Sequence, residues 1–314
     1  MVEKLSLIDR MIQCGEWEFR ELDVTGIDNS PVLSENHPDM AEEQISLFHR
    51  NATSGNEYLE RLHTFLDDAL KHRSPAPVVR FADGEFLFYA ENLHCNGLYE
   101  QAESVAEIRK ALPVHVEAFI RLSRLGRMAP LVFPGNIGTH KCPWWIPRIG
   151  RKRRADSAEG FLAFLDEHNV PFTDENYIPF YAVYAYLASR RFARMLDGKT
   201  VGLINSDCRL EPCHRWFARF DSCVDIRFIS IPSEFMATRW PDVKDRVLSE
   251  VADSGVEFCL VGAGIGSLMV CVDVAENCSI PAVDAGHVVN MLNGLEEKSN
   301  GPRLFTLYHD AANF

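Results

Sequence analysis

Residues 256–287 read VEFCLVGAGIGSLMVCVDVAENCSIPAVDAGH. The first part, VEFCLVGAG, is a short apolar run closed by glycines, as a buried strand is. GSLMVCVDVAENC then has the pattern of a helix, and SIPAVDAGH returns to a short strand. Strand, glycine turn, helix and strand make one parallel unit. A chain that repeats this unit folds as a mostly parallel sheet with helices on both faces.

The repeat is found upstream. TVGLIN at 200–205 is a buried-strand pattern, preceded by a helix over about 178–196 that ends at Asp197-Gly198. VDIRFISIP (224–232) is a strand, and WPDVKDRVLSEVADSG (240–255) is a helix with an early proline and a closing glycine. Further back lies VVRFADGEF (78–86), reached through an amphipathic helix from Asn56 with apolar positions Tyr58, Leu59, Leu62, Phe65, Leu66, Ala69 and Leu70. Between the two blocks, AESVAEIRKALP and VHVEAFIRLSRLGRM read as two helices separated by Pro113, followed by the apolar run APLVFPGN. The expected fold is α/β, a Rossmann-like mostly parallel sheet flanked by helices. Residues 1–54 read as an N-terminal extension, 55–314 as a single α/β domain, and 142–156 as a variable loop holding Trp144-Trp145 and the basic cluster Arg148, Arg151, Lys152, Arg153 and Arg154.

Composition narrows the function classes. At 314 residues and 46% hydrophobic, the chain can bury a large core. Its 32 basic against 45 acidic residues give a net charge of −13, which disfavours nucleic acid as a partner. No run of about 18 apolar residues would span a bilayer, and residues 1–19 lack the apolar core of a signal peptide, so a cytoplasmic location is expected. The nine cysteines are an odd number with no zinc spacing, which suits reduced thiols.

In parallel sheets ligands bind beyond the carboxyl ends of strands. Four such places carry chemistry. On an extended backbone Asp83 and Glu85 would point to one side with Gly84 leaving room between them, a pair that Mg²⁺ or Mn²⁺ relieves; the same letters also suit a polar turn. Gly262 and Gly264 lie where backbone N–H groups can approach a phosphate, although Ser267 ends the dinucleotide fingerprint, and Asp284 stands where such folds put a ribose-binding acid. Gly286 and His287 follow, the histidine serving either as a phosphate ligand or as a structural hydrogen-bonding group. Asn205 and Ser206 suit a base or ribose, or a helix cap. Ser233 and Glu234 have the same ambiguity, and the tryptophan pair with its basic cluster suits a sugar acceptor.

The order of these pieces resembles the GT-D fold glycosyltransferases, formerly grouped as a domain of unknown function. The likeness rests on VVRFADGEF, GKTVGLIN, FISIPSEFM and the closing FCLVGAGIGSLMVCVDVAENCSIPAVDAGHVVN, and covers about residues 76–292. It implies that Asp83 and Glu85 form a DxE motif holding Mn²⁺ or Mg²⁺ against the diphosphate of a nucleotide-sugar, with a UDP-sugar the first choice. Arg80 would support the pyrophosphate, while Gly262, Gly264, Asp284, Gly286 and His287 would border the donor site. Ala82 replaces the family's usual glycine, and Ser233-Glu234 stands where a Lys-Asn pair is frequent.

The expected activity is transfer of the sugar to a hydroxyl of a glycan, a peptide-linked glycan or a small molecule, with His287, Glu234 and Asp207 as candidate bases. A homo-oligomer is compatible with all of this. The competing expectations are a Rossmann-type NAD- or S-adenosylmethionine-dependent enzyme and a non-catalytic nucleotide-binding module.

Overall fold

The computed structural model describes residues 55–95, 99–131, 158–173, 175–178, 180–187 and 189–294. The expected extension 1–54 and the variable loop 142–156 lie outside them. Helix α1 (Gly55–His72) buries Tyr58, Leu59, Leu62 and Leu66, the stripe its spacing predicts. Strand β1 (Ala76–Phe81) has every residue buried and runs into helix α2 (Asp83–Tyr89). A two-stranded antiparallel ribbon, β2 (His94–Cys95) and β3 (Tyr99–Glu100), leads to α3 (Val105–Leu125), β4 (Arg127–Pro130) and α4 (Ala158–Glu167). Helices α5 (Phe180–Leu187) and α6 (Arg190–Met195) precede β5 (Thr200–Asn205), α7 (Leu210–Ala218), β6 (Asp225–Ser230) and α8 (Met236–Asp253). The chain then forms β7 (Phe258–Gly262), a 3₁₀ turn (Gly264–Gly266), α9 (Ser267–Cys278), β8 (Pro281–Asp284) and α10 (His287–Leu292).

Six strands make one sheet in the order β4-β1-β8-β7-β5-β6, and every pairing is parallel. The fold is α/β and Rossmann-like. Val78 stands opposite Val283, Leu260 opposite Val283, and Leu203 opposite Leu260, so the interior strands are apolar on both faces. The edge strand β6 instead exposes Asp225, Arg227 and Phe228, charge that discourages pairing with another chain. Connections β1–α3–β4, β6–α8–β7 and β7–α9–β8 step one way along the sheet, and α3, α8 and α9 pack on one another. The β5–α7–β6 connection steps the other way, so right-handed crossing puts α7 on the opposite face, where Phe217 meets Phe192 of α6 at 6.5 Å.

Three expectations need correction. Pro113 lies inside one continuous α3 and does not divide two helices. The proline forfeits one helical hydrogen bond, but Ile108, His115, Ala118, Phe119 and Leu122 bury one face of the helix along its length and outweigh that loss. The helix expected over about 178–196 is two. Buried Ser189 ends the first and caps the second: its hydroxyl donates to Tyr186 O at 2.6 Å and accepts the Phe192 N–H at 3.1 Å. The strand expected in APLVFPGN begins earlier, at Arg127, because the register with β1 sets Arg127 opposite Val78. Among the described residues, no helix is long and apolar enough to cross a membrane. The seven described cysteines are free, with Cys95, Cys213, Cys259 and Cys271 buried.

Candidate functional site

Strands β5 and β7 are neighbours whose outgoing helices leave in opposite directions, which opens a crevice beyond their carboxyl ends. A cavity of about 580 Å³ lies there. Ser206 lines it from the end of β5, residues 232–237 from the β6–α8 connection, residues 262–265 from the end of β7, and Tyr99 and Gln101 from the β2–β3 ribbon. Helix α8 and the 3₁₀ turn that leads into α9 both start beside it, neither with a side-chain cap. Gly266 lets these starts approach, since a Cβ there would lie 2.6 Å from Met236 Cβ. Two converging helix N-termini favour an anion. Phe235, on the cavity wall, has φ 60° and ψ 28°, a left-handed conformation that strains an aromatic residue and is held where the chain turns into α8.

Gly262, Gly264, Ser206 and Glu234 are thus at the cavity. Gly264 has φ 53°, and open space surrounds the position a side chain would take. Gly262 is small because a Cβ would come within 2.9 Å of Asn205 Oδ1. The Asn205 amide donates to Asp207 O at 2.8 Å and shapes the turn that presents Ser206.

Arg80, Asp284 and Gly286 form a second, interior group. Asp284 receives the Arg80 backbone N–H on Oδ2 at 3.3 Å, pairs with Nη2 at 3.2 Å, and accepts Nε on its backbone oxygen at 3.0 Å. The guanidinium lies over the Tyr184 ring at 4.1 Å and the Phe180 ring at 5.2 Å. Burial opposes its charge, and the facing Asp284 more than offsets that. Gly286, at φ 44°, has no room for a Cβ because the guanidinium occupies it. These residues tie β1 to β8 and do not line the cavity. His287 opens α10, and its side chain falls outside the description.

The Asp-Gly-Glu stretch corrects an expectation. It is the first turn of α2, not an extended segment, and Glu85 makes the return half of a capping box, accepting the Ala82 N–H on Oε2 at 2.7 Å. At about 100° per residue, positions i and i+2 diverge around a helix, so the alignment argued from an extended backbone is lost. Both carboxylates nevertheless act on the ribbon: after burial, their charges help raise the Cys95 thiol and Tyr99 phenol. Burial pushes Glu85 up to about 7, Asp284 adding to the shift and Arg80 opposing it. Among the described residues, no three His, Cys, Asp or Glu side chains converge to enclose a metal ion. Asp83 is exposed at the start of α2, while Glu85 Oε2 is engaged at the Ala82 N–H, so a Mg²⁺ or Mn²⁺ bound there would keep most of its waters.

Two residues escaped the sequence reading. Gln101 sits in a stretch without periodicity, yet it is buried in the wall between Gly84 and the cavity. His115 reads as one polar residue among many on α3. It is wholly buried, and burial pushes it down to about 4, so it is neutral. Its Nε2 donates to Ala237 O at 2.8 Å, which leaves Nδ1 to accept the Tyr89 hydroxyl at 2.9 Å. His115 thereby ties α2 to the start of α8 at the cavity.

No family model, no curated protein and no solved structure matches this chain.

Proposed function

We propose that the protein is a metal-dependent glycosyltransferase that takes its sugar from a nucleoside-diphosphate sugar, a UDP-sugar first, and passes it to a hydroxyl of a glycan, a peptide-linked glycan or a small molecule. The observation that carries this reading is the crevice at the β5–β7 switch, where two uncapped helix starts and a glycine-rich strand end face a wall shared with the Asp83-Gly84-Glu85 helix start. The helix starts and the Gly262–Gly264 backbone suit the diphosphate, and Ser206 suits the ribose or base. Asp83 would hold Mn²⁺ or Mg²⁺, which would supply charge neutralisation for the departing nucleoside diphosphate, while Glu85 holds the start of α2 through the Ala82 N–H. The acceptor oxygen bonds to the anomeric carbon as the bond from that carbon to the diphosphate breaks. The acceptor's proton passes to a base, for which Glu234, exposed at the cavity, is the best-placed candidate.

Arg80 supports this site from behind, through Asp284 and the end of β8. The same arrangement disfavours the dinucleotide or S-adenosylmethionine reading, which needs Asp284 for a ribose: that carboxylate already receives the Arg80 backbone N–H and guanidinium. The activity test is slow release of UDP from UDP-sugars in Mn²⁺ without added acceptor. Release above background that EDTA abolishes is expected; no release from any UDP- or GDP-sugar, together with no binding, counts against a transferase.

A further inference from the structure

Cys208 and Cys213 stand on either side of the start of α7, Cys208 on the loop that leaves β5 and Cys213 inside the helix. Cys213 is buried and Cys208 half-buried, while Asp207 and Arg209 beside Cys208 are exposed. Asn293, buried just past α10, gathers this segment. Its Oδ1 accepts the Arg209 N–H at 2.7 Å and the Cys213 thiol at 3.5 Å, and its amide donates to Asp207 O at 3.3 Å. One side chain thus holds the residues before and after Cys208 and the sulfur of Cys213. The two thiols are in hydrogen-bond contact with each other.

The single S–H of Cys213 therefore faces two acceptors, Asn293 Oδ1 and the Cys208 sulfur. Donation to a Cys208 thiolate is charge-assisted, so this bond holds the Cys208 thiol below its ordinary range, and the same bond, with burial, pushes Cys213 up. The pair divides into an accessible nucleophile and a buried thiol within its reach.

We propose that Cys208 and Cys213 are a redox site, which hydrogen peroxide converts reversibly to a disulfide across the start of α7. The Cys208 thiolate attacks one peroxide oxygen and the O–O bond breaks. The hydroxide released takes up the proton that Cys208 gave and leaves as water, with Cys208 now a sulfenic acid. The Cys213 sulfur then bonds to the Cys208 sulfur as the S–O bond breaks, and the departing hydroxide takes the Cys213 proton as a second water. Two electrons pass from the thiol pair to the peroxide. Cys208 lies outside any helix, which leaves it free to make the closing movement. The bridge also takes the Cys213 proton from Asn293 Oδ1, in the loop that presents Ser206 to the cavity.

The test uses the full chain, reduced and then treated with equimolar hydrogen peroxide, blocked with iodoacetamide and digested with trypsin. Trypsin cuts after Arg209, so the two cysteines fall on separate peptides, 200–209 and 210–215. Mass spectrometry should find these peptides joined before the exposed Cys223 is oxidised, and dithiothreitol should separate them. In Cys213→Ser the link should vanish and dimedone should capture Cys208 as a sulfenic acid. Oxidation of Cys208 no faster than Cys223, with no joined peptides, overturns the proposal. So does preferential pairing of Cys208 with another cysteine, or a link that forms only in urea.

Discussion

Glu85 combines two tasks in one side chain. One oxygen caps the start of α2, and burial near Asp284 raises the carboxyl from its ordinary 4.5 to about 7. An acid with a raised folded pKa holds its proton longer in the folded state than in the unfolded one. Its stabilising effect is therefore full below about pH 4.5 and is lost as pH rises through 7. In EDTA, wild type should lose up to about 3 kcal/mol more stability between pH 4.5 and 8 than Glu85→Gln, which keeps an acceptor for the cap. Urea unfolding at both pH values measures this. Parallel losses in the two proteins would place the carboxyl in a more open setting than its partners imply.

The same residue marks a limit of reading at this scale. Glu85 three positions after Ala82 is half of a capping box, but the usual Ser or Thr at the cap is missing. Without that letter, Asp-Gly-Glu reads equally well as extended chain. Gln101 is less legible still: its place in the cavity wall arises when a ribbon carries it there, and no local pattern encodes that.

At the scale of elements, α3 carries Pro113 at an exposed interior position. The proline is tolerated because α3 packs along its length against α8 and α9. Restoring the hydrogen bond with Pro113→Ala should stabilise the protein by about 1–3 kcal/mol, seen as a higher urea midpoint at unchanged slope. A lower midpoint would mean that the ring itself is packed and useful.

Elements that answer to one strong local signal were legible. The α1 stripe, apart from the half-buried Phe65, and the interiors of the strands TVGLIN and FCLVG bury the residues their patterns nominate. Where a local signal competes with packing, as at Pro113, or where a single buried hydroxyl decides, as at Ser189, the outcome depends on neighbours distant in sequence.

At the scale of the molecule, the strand order makes the site. The sequence indicates a parallel sheet, but the order β4-β1-β8-β7-β5-β6, and with it the crevice between β5 and β7, follows from long-range pairing. That order gathers Ser206, Glu234, Gly262 and Gly264 around one cavity and sets Arg80, Asp284 and Gly286 into the sheet behind it. It also brings the α2 start against the cavity wall at Tyr99 and Gln101.

On the proposed function, this crevice binds a nucleoside diphosphate together with a divalent cation held through the α2 start. The most direct measurement is thermal unfolding of wild type and Asp83→Asn with UDP, GDP, NAD and S-adenosylmethionine, each in Mn²⁺ and in EDTA. One nucleoside diphosphate and Mn²⁺ together should raise the melting temperature of wild type well beyond the sum of their separate effects, and Asp83→Asn should abolish this synergy. A rise with NAD or S-adenosylmethionine that ignores EDTA and persists in Asp83→Asn would contradict it.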